Sequence, residues 1–204
     1  MSARDAILSR VRTALGRRAG DAVPDPGPPR MTIPNVDVEQ RVAMFSAALE
    51  KLAGKPFVAD SCEQAGEYVR SVIADRSAIS SRSPILERCG VACATRIDMH
   101  RAACAEAAVG ITGAEYALAD TGSLVMFANS EEARLISLLP PVHIAMIERS
   151  QILTGLDELL SIAPHPADVT SSMVLITGTS RTADIEQILV RGVHGPGEVH
   201  VIIL

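Results

Sequence analysis

The chain is poor in aromatic residues and has no apolar run long enough to cross a bilayer. Its 204 residues include no Trp, two Tyr and three Phe, and the formal net charge is −5 at pH 7. Few rings are available to stack on bases, and negative charge opposes contact with phosphates. The composition therefore argues against a nucleic-acid-binding protein. Because no signal-peptide core follows the first residues either, the sequence predicts a cytoplasmic protein.

The cysteines lack the spacing of a metal or cluster site. Four are present, Cys62, Cys89, Cys93 and Cys104, and no two of them form a Cys-x-x-Cys pair. Iron–sulfur and zinc sites usually take closely spaced cysteines. We therefore predict ordinary small core cysteines in a reducing compartment, with no metal and no cofactor on this chain.

A tethered helix is predicted ahead of the main domain. Residues 2–18 carry apolar side chains at helical spacing with arginines on the other face, and four prolines follow within residues 21–30. Proline cannot continue a helix, so such a segment forms an extended linker. The sequence thus predicts an amphipathic helix over 1–19, a linker over 20–35 and one domain over 36–204. We expect the helix to dock on this domain, on a second copy or on another partner, because its apolar face has no aromatic membrane anchor.

Helical and strand-like segments alternate in the main domain. Apolar periodicity predicts helices over 38–52, 64–75, 101–108, 131–139 and 156–162, and strands over 56–59, 78–80, 109–112, 142–147, 173–176 and 199–204. Strands interleaved with helices indicate a mostly parallel sheet covered on both faces. Two further apolar runs, 116–119 and 124–127, lie too close together for a crossover helix and must form a hairpin or a bent strand.

The turn between those two runs, Asp120-Thr121-Gly122-Ser123, has two interpretations. Asp and Gly are ordinary turn residues, since Asp bonds its own backbone and Gly adopts positive φ. Alternatively, Asp120 points into a cleft beside backbone N–H groups and two hydroxyls. Such a place would hold an anionic substrate or present a nucleophilic carboxylate. The spacing alone leaves both interpretations open.

Polar groups are crowded between the last two apolar runs. The segment 180–186 holds hydroxyls, a guanidinium and two carboxylates, and it follows a strand end, where open α/β sheets usually bind ligands. In one interpretation Ser180 caps a helix in which Arg181 pairs with Asp184. In the other, residues 185–190 form a strand paired with 199–204. In either case Arg181 has the fork geometry that binds a carboxylate or phosphate.

Three histidines are candidates for chemistry. His143 lies inside an apolar run, where a core histidine and a catalytic one are equally expected. His165 lies between two prolines and is predicted to be a loop residue. His194 lies in Gly-Val-His-Gly-Pro, where it would act as a general acid or base or simply bond the turn. No two of them share the spacing of a metal site.

Four motifs occur in order along the chain. They are Gly-Ile-Thr-Gly-Ala-Glu-Tyr-Ala-Leu-Ala-Asp-Thr-Gly-Ser over 110–123, Leu-Leu-Pro-Pro-Val-His-Ile-Ala over 138–145, Thr-Gly-Thr-Ser-Arg-Thr-Ala-Asp-Ile-Glu over 177–186 and Gly-Val-His-Gly-Pro over 192–196. Together they resemble the lactate-utilisation (LUD) domain proteins of the LutC/YkgG type, over roughly residues 36–204. The Arg-rich first helix is also similar. Asp120 stands where the family usually has Glu, which keeps the charge and shortens the reach.

The resemblance implies an α/β fold, a three-layer α/β/α sandwich of the NagB/RpiA/CoA-transferase type. It implies a role in oxidising L-lactate to pyruvate with two partners, a Cys-rich oxidoreductase-like subunit and an iron–sulfur subunit. The iron–sulfur clusters would then lie on the partner subunits. The family offers no settled catalytic role for this component.

We therefore predict an accessory subunit of a lactate-oxidising complex with a small-carboxylate cleft. The predicted catalytic residues are Asp120, Glu186 and His194, and the predicted binding residues are Thr121, Gly122, Ser123, His143, Ser180, Arg181, Thr182 and Asp184. Two alternatives stay open. One is a free-standing enzyme with a carboxylate nucleophile for an acyl or sugar-phosphate substrate; the other is a ligand-binding regulatory or assembly module. The sequence leaves the oligomeric state open, including a homo-oligomer.

Overall fold

A computed structural model describes residues 2–16, 31–91, 101–128, 134–163, 170–182 and 190–204. The chain divides into two compact units, Met1–Met31 and Thr32–Leu204. No helix within the described ranges is long and apolar enough to cross a membrane.

The first unit contains helix α1 (Ala3–Leu15), and both ends of this helix are capped by residues of the same segment. Ser2 and Asp5 form a capping box at its start, and Gly16 closes it in the left-handed conformation. None of its residues is buried, and its apolar residues Ile7 and Leu15 are 61% and 65% exposed. The caps bond groups that a helix end otherwise leaves unpaired, which fixes where this helix begins and ends.

The second unit contains the remaining described elements. Its helices are α2 (Val38–Lys51), α3 (Cys62–Ile73), α4 (Pro84–Arg88), α5 (Arg101–Glu106), α6 (Arg134–Leu138) and α7 (Leu156–Ile162). Its strands are β1 (Lys55–Val58), β2 (Ala78–Ser80), β3 (Val109–Gly113), β4 (Tyr116–Leu118), β5 (Ser123–Phe127), β6 (Val142–Ile147), β7 (Ile152–Leu153), β8 (Met173–Thr177), β9 (Arg181–Thr182), β10 (Val190–Arg191) and β11 (Glu198–Ile203). A 3₁₀ turn spans Arg149–Gln151. Each helix and strand predicted from periodicity overlaps one of these elements.

The central sheet has the strand order β1-β11-β6-β3-β2, and all its pairs are parallel. Side chains alternate between its two faces. Ile144 and Ile202 pack with α3 and α4, whereas Ala145 and Val201 on the opposite face pack with α2. This is the expected three-layer α/β/α arrangement, and it explains why most side chains of the inner strands are apolar on both faces.

A second sheet, with the order β7-β4-β5-β8, lies on the α2 side. The predicted hairpin is confirmed, since β4 and β5 pair antiparallel across the Asp120–Ser123 turn. One face of this sheet, including Leu124, shares a core with α2, and the other, including Val125, packs on α7. The prediction of one sheet was therefore incomplete. Strand β8 pairs antiparallel with β5 rather than joining the parallel sheet.

Two turns of the second sheet close against the C-terminal half of α2. Gly122 has φ +66°, and a Cβ there would lie 2.5 Å from the backbone nitrogen of Leu49. Gly178 has φ +74°, and its Cβ would lie 2.5 Å from that of Leu52, whose carbonyl accepts a 3.3 Å hydrogen bond from Thr179 Oγ1. Both positions combine a left-handed backbone with a lack of space, so glycine is required.

The cysteine prediction was wrong for two residues. Cys62 and Cys89 form a disulfide across a separation of 27 residues. Cys104 is a buried free cysteine, as predicted, and Cys93 lies outside the described residues. The bond had no local signature, because it depends on the first residue of α3 meeting the end of α4.

Gly122→Ala tests the packing of the turn on α2. We expect it to lower the free energy of unfolding by about 2–4 kcal/mol, because a left-handed alanine is strained and its Cβ collides with the α2 backbone. Gly90→Ala is the matched control. Gly90 has φ +63° with nothing within 4 Å of its Cβ position. Gly90→Ala should therefore cost only the strain of a left-handed alanine, about 1 kcal/mol. Urea denaturation measures both; equal losses would contradict the packing argument.

Candidate functional site

The segment after Ser180 is a two-stranded ribbon. Strand β9 pairs antiparallel with β10, and Arg181 lies directly opposite Arg191. The predicted helix starting at Arg181 is therefore wrong. The predicted pairing with residues 199–204 is also wrong, because β11 is enclosed between β1 and β6 in the central sheet.

Two predicted site residues of this segment, Asp184 and Glu186, lie outside the described residues. The described ribbon ends at Thr182 on one strand and begins again at Val190 on the other.

Ser180 joins the ribbon to the loop that carries His194. The Ser180 amide donates to the Pro196 carbonyl at 2.9 Å, and its own carbonyl accepts from Gly192 at 3.0 Å. Its Oγ accepts from the backbone N–H of His194 at 3.3 Å. The structure thus brings together two predicted site residues that are fourteen positions apart in the sequence.

The described strands of this ribbon carry two opposed arginines and no carboxylate. Residues directly opposite in an antiparallel pair carry their side chains on the same face, about 5 Å apart at Cβ. Arg181 and Arg191 are both exposed, and neither forms an ion pair with a residue in the described ranges. Like charges in this position weaken strand pairing, and an anion between them offsets the repulsion. The described strands therefore place two exposed guanidinium side chains on one face of the ribbon.

Sequence reasoning missed Arg191 as a candidate site residue. Its sequence context is ordinary, and its position depends on the β9–β10 register, which places it against Arg181 across residues 183–189. Only the pairing of the two short strands shows that the two arginines face each other, and the sequence does not reveal that pairing.

Three of the four motifs meet at the amino-terminal ends of β6 and β11. The carbonyl of Pro141, just before β6, accepts from Gly197 at 3.0 Å, and Pro196 in turn binds Ser180. The segment follows the end of a strand, as predicted, but that strand, β8, belongs to the second sheet and not to the parallel one.

His143 is a core residue. It is fully buried in β6, and its Nε2 lies 2.8 Å from Thr112 Oγ1, while Nδ1 has no hydrogen-bond partner in the described part of the chain. Burial lowers the pKa of His143 from 6.5 to about 4, with a smaller contribution from the nearby His200. The ring is therefore neutral near pH 7, which favours the core interpretation over the predicted substrate contact.

The Asp120–Ser123 turn exposes only its first half. Asp120 and Thr121 are exposed, whereas Gly122 and Ser123 are buried. The Ser123 hydroxyl lies 2.8 Å from Thr121 Oγ1 and 2.8 Å from Thr177 Oγ1 on β8. Ser123 therefore links the two strands, and the carboxylate of Asp120 is the main group that the turn offers to a ligand.

Asp120 borders an open cleft of about 350 Å³. The cleft is lined by Thr32, Pro34, Val36, Met44, Asp120, Thr154, Gly155, Leu156 and Asp157. Asp120 is packed against Gly155, where a Cβ would lie 2.7 Å from its Oδ2. The cleft thus combines apolar walls with two carboxylates, Asp120 and Asp157, a lining that disfavours an anion.

Arg41 of α2 holds the walls of this cleft together. Its Nε donates to the Val36 carbonyl at 2.9 Å, and its Nη1 lies 3.3 Å from both the Ile152 carbonyl and Glu158 Oε1. Glu158 in turn accepts from the Thr154 amide at 2.7 Å. One arginine therefore joins the segment before α2, strand β7 and helix α7.

Apart from His143 in the core, the described site residues that were predicted lie in two places. Asp120 faces the acidic cleft, while Ser180, Arg181 and His194 belong to the ribbon and its loop and do not line that cleft. In the described ranges, no three His, Cys, Asp or Glu side chains are grouped so as to hold a metal ion.

Residues 42–204 match the family model of the LUD domain. The chain belongs to the LUD domain family. It is similar to Lactate utilization protein C of Bacillus licheniformis, with 36% identity over 103 residues, covering 48% of this chain and 43% of that protein. It is also similar to Lactate utilization protein C of Bacillus subtilis, with 40% identity over 95 residues, covering 45% and 40%. Protein YkgG of Escherichia coli is 39% identical over 95 residues, covering 45% and 41%.

Each of these matches spans less than half the length of the relative. A solved structure of a DUF162 family protein from Deinococcus radiodurans aligns with a TM-score of 0.65 at 15% identity, covering 83% of this LUD chain and 99% of that chain. At this identity the alignment supports the fold, which agrees with the three layers described above.

His143 makes the stability of this LUD domain depend on pH. Because its folded-state pKa of about 4 lies below the unfolded value of 6.5, the unfolded chain binds the proton first. Stability is therefore full above pH 6.5 and falls by about 3 kcal/mol as the pH drops toward 4. His143→Gln keeps a polar group beside Thr112 but cannot titrate. Urea denaturation of both proteins at several pH values should show a shallower acid loss for the variant; parallel curves would contradict the assignment.

Proposed function

We propose that this LUD-domain chain is an accessory subunit of a lactate-oxidising system. Membership of the family supports this, together with relatives that are named Lactate utilization protein C. In this proposal the iron–sulfur clusters are carried by partner subunits, and the chain binds a small carboxylate.

The observation that carries the proposal is the register of the β9–β10 ribbon. Arg181 and Arg191 lie opposite each other. In the proposal they clamp the carboxylate of lactate or pyruvate between two guanidinium groups. Each bidentate arginine–carboxylate contact is a charge-assisted pair of hydrogen bonds, which is stronger than a neutral one. His194 stands at the base of the ribbon through Ser180, where it would exchange a proton with the hydroxyl or carbonyl next to that carboxylate.

The Asp120 cleft has a different part in the proposal. Its two carboxylates repel a substrate carboxylate and accept hydrogen bonds from an uncharged or cationic group. A direct role of Asp120 as a nucleophile, in a free-standing CoA-transferase-like enzyme, stays a prediction.

Helix α1 favours an assembly function alongside ligand binding. Its apolar residues Ile7, Val11 and Leu15 are 61%, 48% and 65% exposed although both helix ends are capped. An isolated helix of this length is marginal in water, so a partner surface would stabilise it. We assign it to contact with the partner subunits of the same system.

Growth on L-lactate tests the proposal. Host cells that lack this chain should fail to grow on L-lactate as sole carbon source and should still grow on pyruvate. Restoring the wild-type chain should restore growth, whereas Arg181→Ala and Arg191→Ala should restore it poorly, because each removes half of the clamp. Growth rates on the two carbon sources are the measurement.

Arg70→Ala is the matched control, since Arg70 is an exposed arginine on α3, far along the chain from the ribbon. It should restore growth fully.

A chain without residues 2–16 should bind small carboxylates normally and lose co-purification with partner subunits. Undiminished growth on L-lactate in cells lacking the chain would refute the proposal.

A further inference from the structure

We infer that Cys62 and Cys89 form a reversible thiol–disulfide site, which a dithiol opens and a disulfide oxidant closes. This inference does not rest on the proposed function, because it uses no residue of the ribbon or of the Asp120 cleft.

The bond joins the start of helix α3 to the end of helix α4. Cys62 is the first residue of α3, after Ser61, whose Oγ accepts from the Gln64 amide at 3.3 Å. Cys89 is the C-terminal cap of α4, a helix of five residues. A helix this short gains little from its own hydrogen bonds, so its position depends on what holds its ends.

The two sulfurs differ in access. Cys62 is half-buried and lies at the amino end of a 12-residue helix, where the helix dipole stabilises a thiolate. Cys89 is 9% exposed and belongs to the core cluster that contains Leu86 and Val91. An incoming thiolate therefore reaches the sulfur of Cys62 first.

Cys104 provides an internal comparison. It is fully buried, and burial raises the pKa of its thiol. A thiol of that kind is inert toward exchange because the reactive form is the thiolate. Of the three described cysteines, two are thus arranged for exchange and one is not.

The reaction balances with a dithiol as reductant. One thiolate of the dithiol attacks Cys62 Sγ, the Cys62–Cys89 bond breaks, and Cys89 leaves as a thiolate that takes up a proton. The second thiol of the dithiol then attacks the mixed disulfide and releases Cys62. The protein gains two electrons and two protons, and the dithiol becomes a disulfide.

The bond is a covalent crosslink between two helices that also pack in one apolar core cluster. Arg88, next to Cys89, pairs with Glu148 at 2.8 Å, and Asp60, two residues before Cys62, lies 3.8 Å from Arg149. These ion pairs are largely exposed, and exposed pairs contribute little. Reduction would therefore remove the crosslink, while the shared apolar core of α3 and α4 keeps the domain folded.

The experiment uses the purified full chain in buffers of stepped reduced-to-oxidised dithiothreitol ratio. Free thiols are alkylated at each step and located by peptide mass spectrometry. We expect Cys62 and Cys89 to change together, as one two-electron couple, while Cys104 stays unlabelled in the folded protein. Reduction should lower the melting temperature by about 10 °C, since the bond closes a loop of moderate length.

Variants show whether the shift in melting temperature comes from this bond or from another effect of dithiothreitol on the protein. Cys104→Ala should keep the full shift in melting temperature, and a Cys62→Ser, Cys89→Ser double variant should show none. Two single variants compare the thiols. Cys62 in the Cys89→Ser variant should react with iodoacetamide at least about tenfold faster than Cys89 in the Cys62→Ser variant.

Three results would overturn the inference. One is a peptide map in which either cysteine is bonded to Cys93 instead. Another is that Cys62 and Cys89 stay free thiols at every oxidising ratio. The third is a bond that dithiothreitol reduces only after the protein unfolds, which would make it a permanent structural crosslink.

Discussion

The contact on which the second sheet depends is the closure of two glycine turns on the C-terminal half of α2. Helix α2 lies between the central sheet and the second sheet, and Gly122 and Gly178 let the backbone of two turns touch it where any side chain would collide. Because Thr177 is bonded to Ser123, the β4–β5 hairpin and the end of β8 are held as one body. The chain therefore leaves β8 in a fixed direction, three residues before the ribbon begins at Arg181.

Charged residues of the family motifs lie in two different places. The ribbon with Arg181 and Arg191 is a separate two-stranded sheet, whereas the cleft with Asp120 lies between the segment before α2, the turn after β4 and the start of α7. A carboxylate is favoured at the first and disfavoured at the second. The turn residues Gly122 and Ser123 have structural roles, so binding at this turn falls to the exposed Asp120 and Thr121.

Local patterns in the sequence were enough to predict the longer elements and the three layers, but not the short elements α4, β7, β9 and β10. Runs such as 142–147 are apolar on both faces because they are inner parallel strands, and the short gap after residue 119 required a hairpin. The second sheet, the Arg181–Arg191 pair and the Cys62–Cys89 bond were not predictable, because each depends on the register of segments that are distant in sequence. His143 was ambiguous for a similar reason: an apolar run shows that the ring is buried but does not reveal Thr112 beside it.

The most direct test of the account is the affinity of the full chain for pyruvate, measured by isothermal titration calorimetry. If the opposed guanidiniums bind the carboxylate, Arg181→Ala should weaken binding at least about tenfold, since a charge-assisted hydrogen bond contributes roughly 1.5–3 kcal/mol. Asp120→Asn should bind pyruvate as well as the wild type or better, because it removes a negative charge. Unchanged affinity in Arg181→Ala, or binding lost only in Asp120→Asn, would contradict the account.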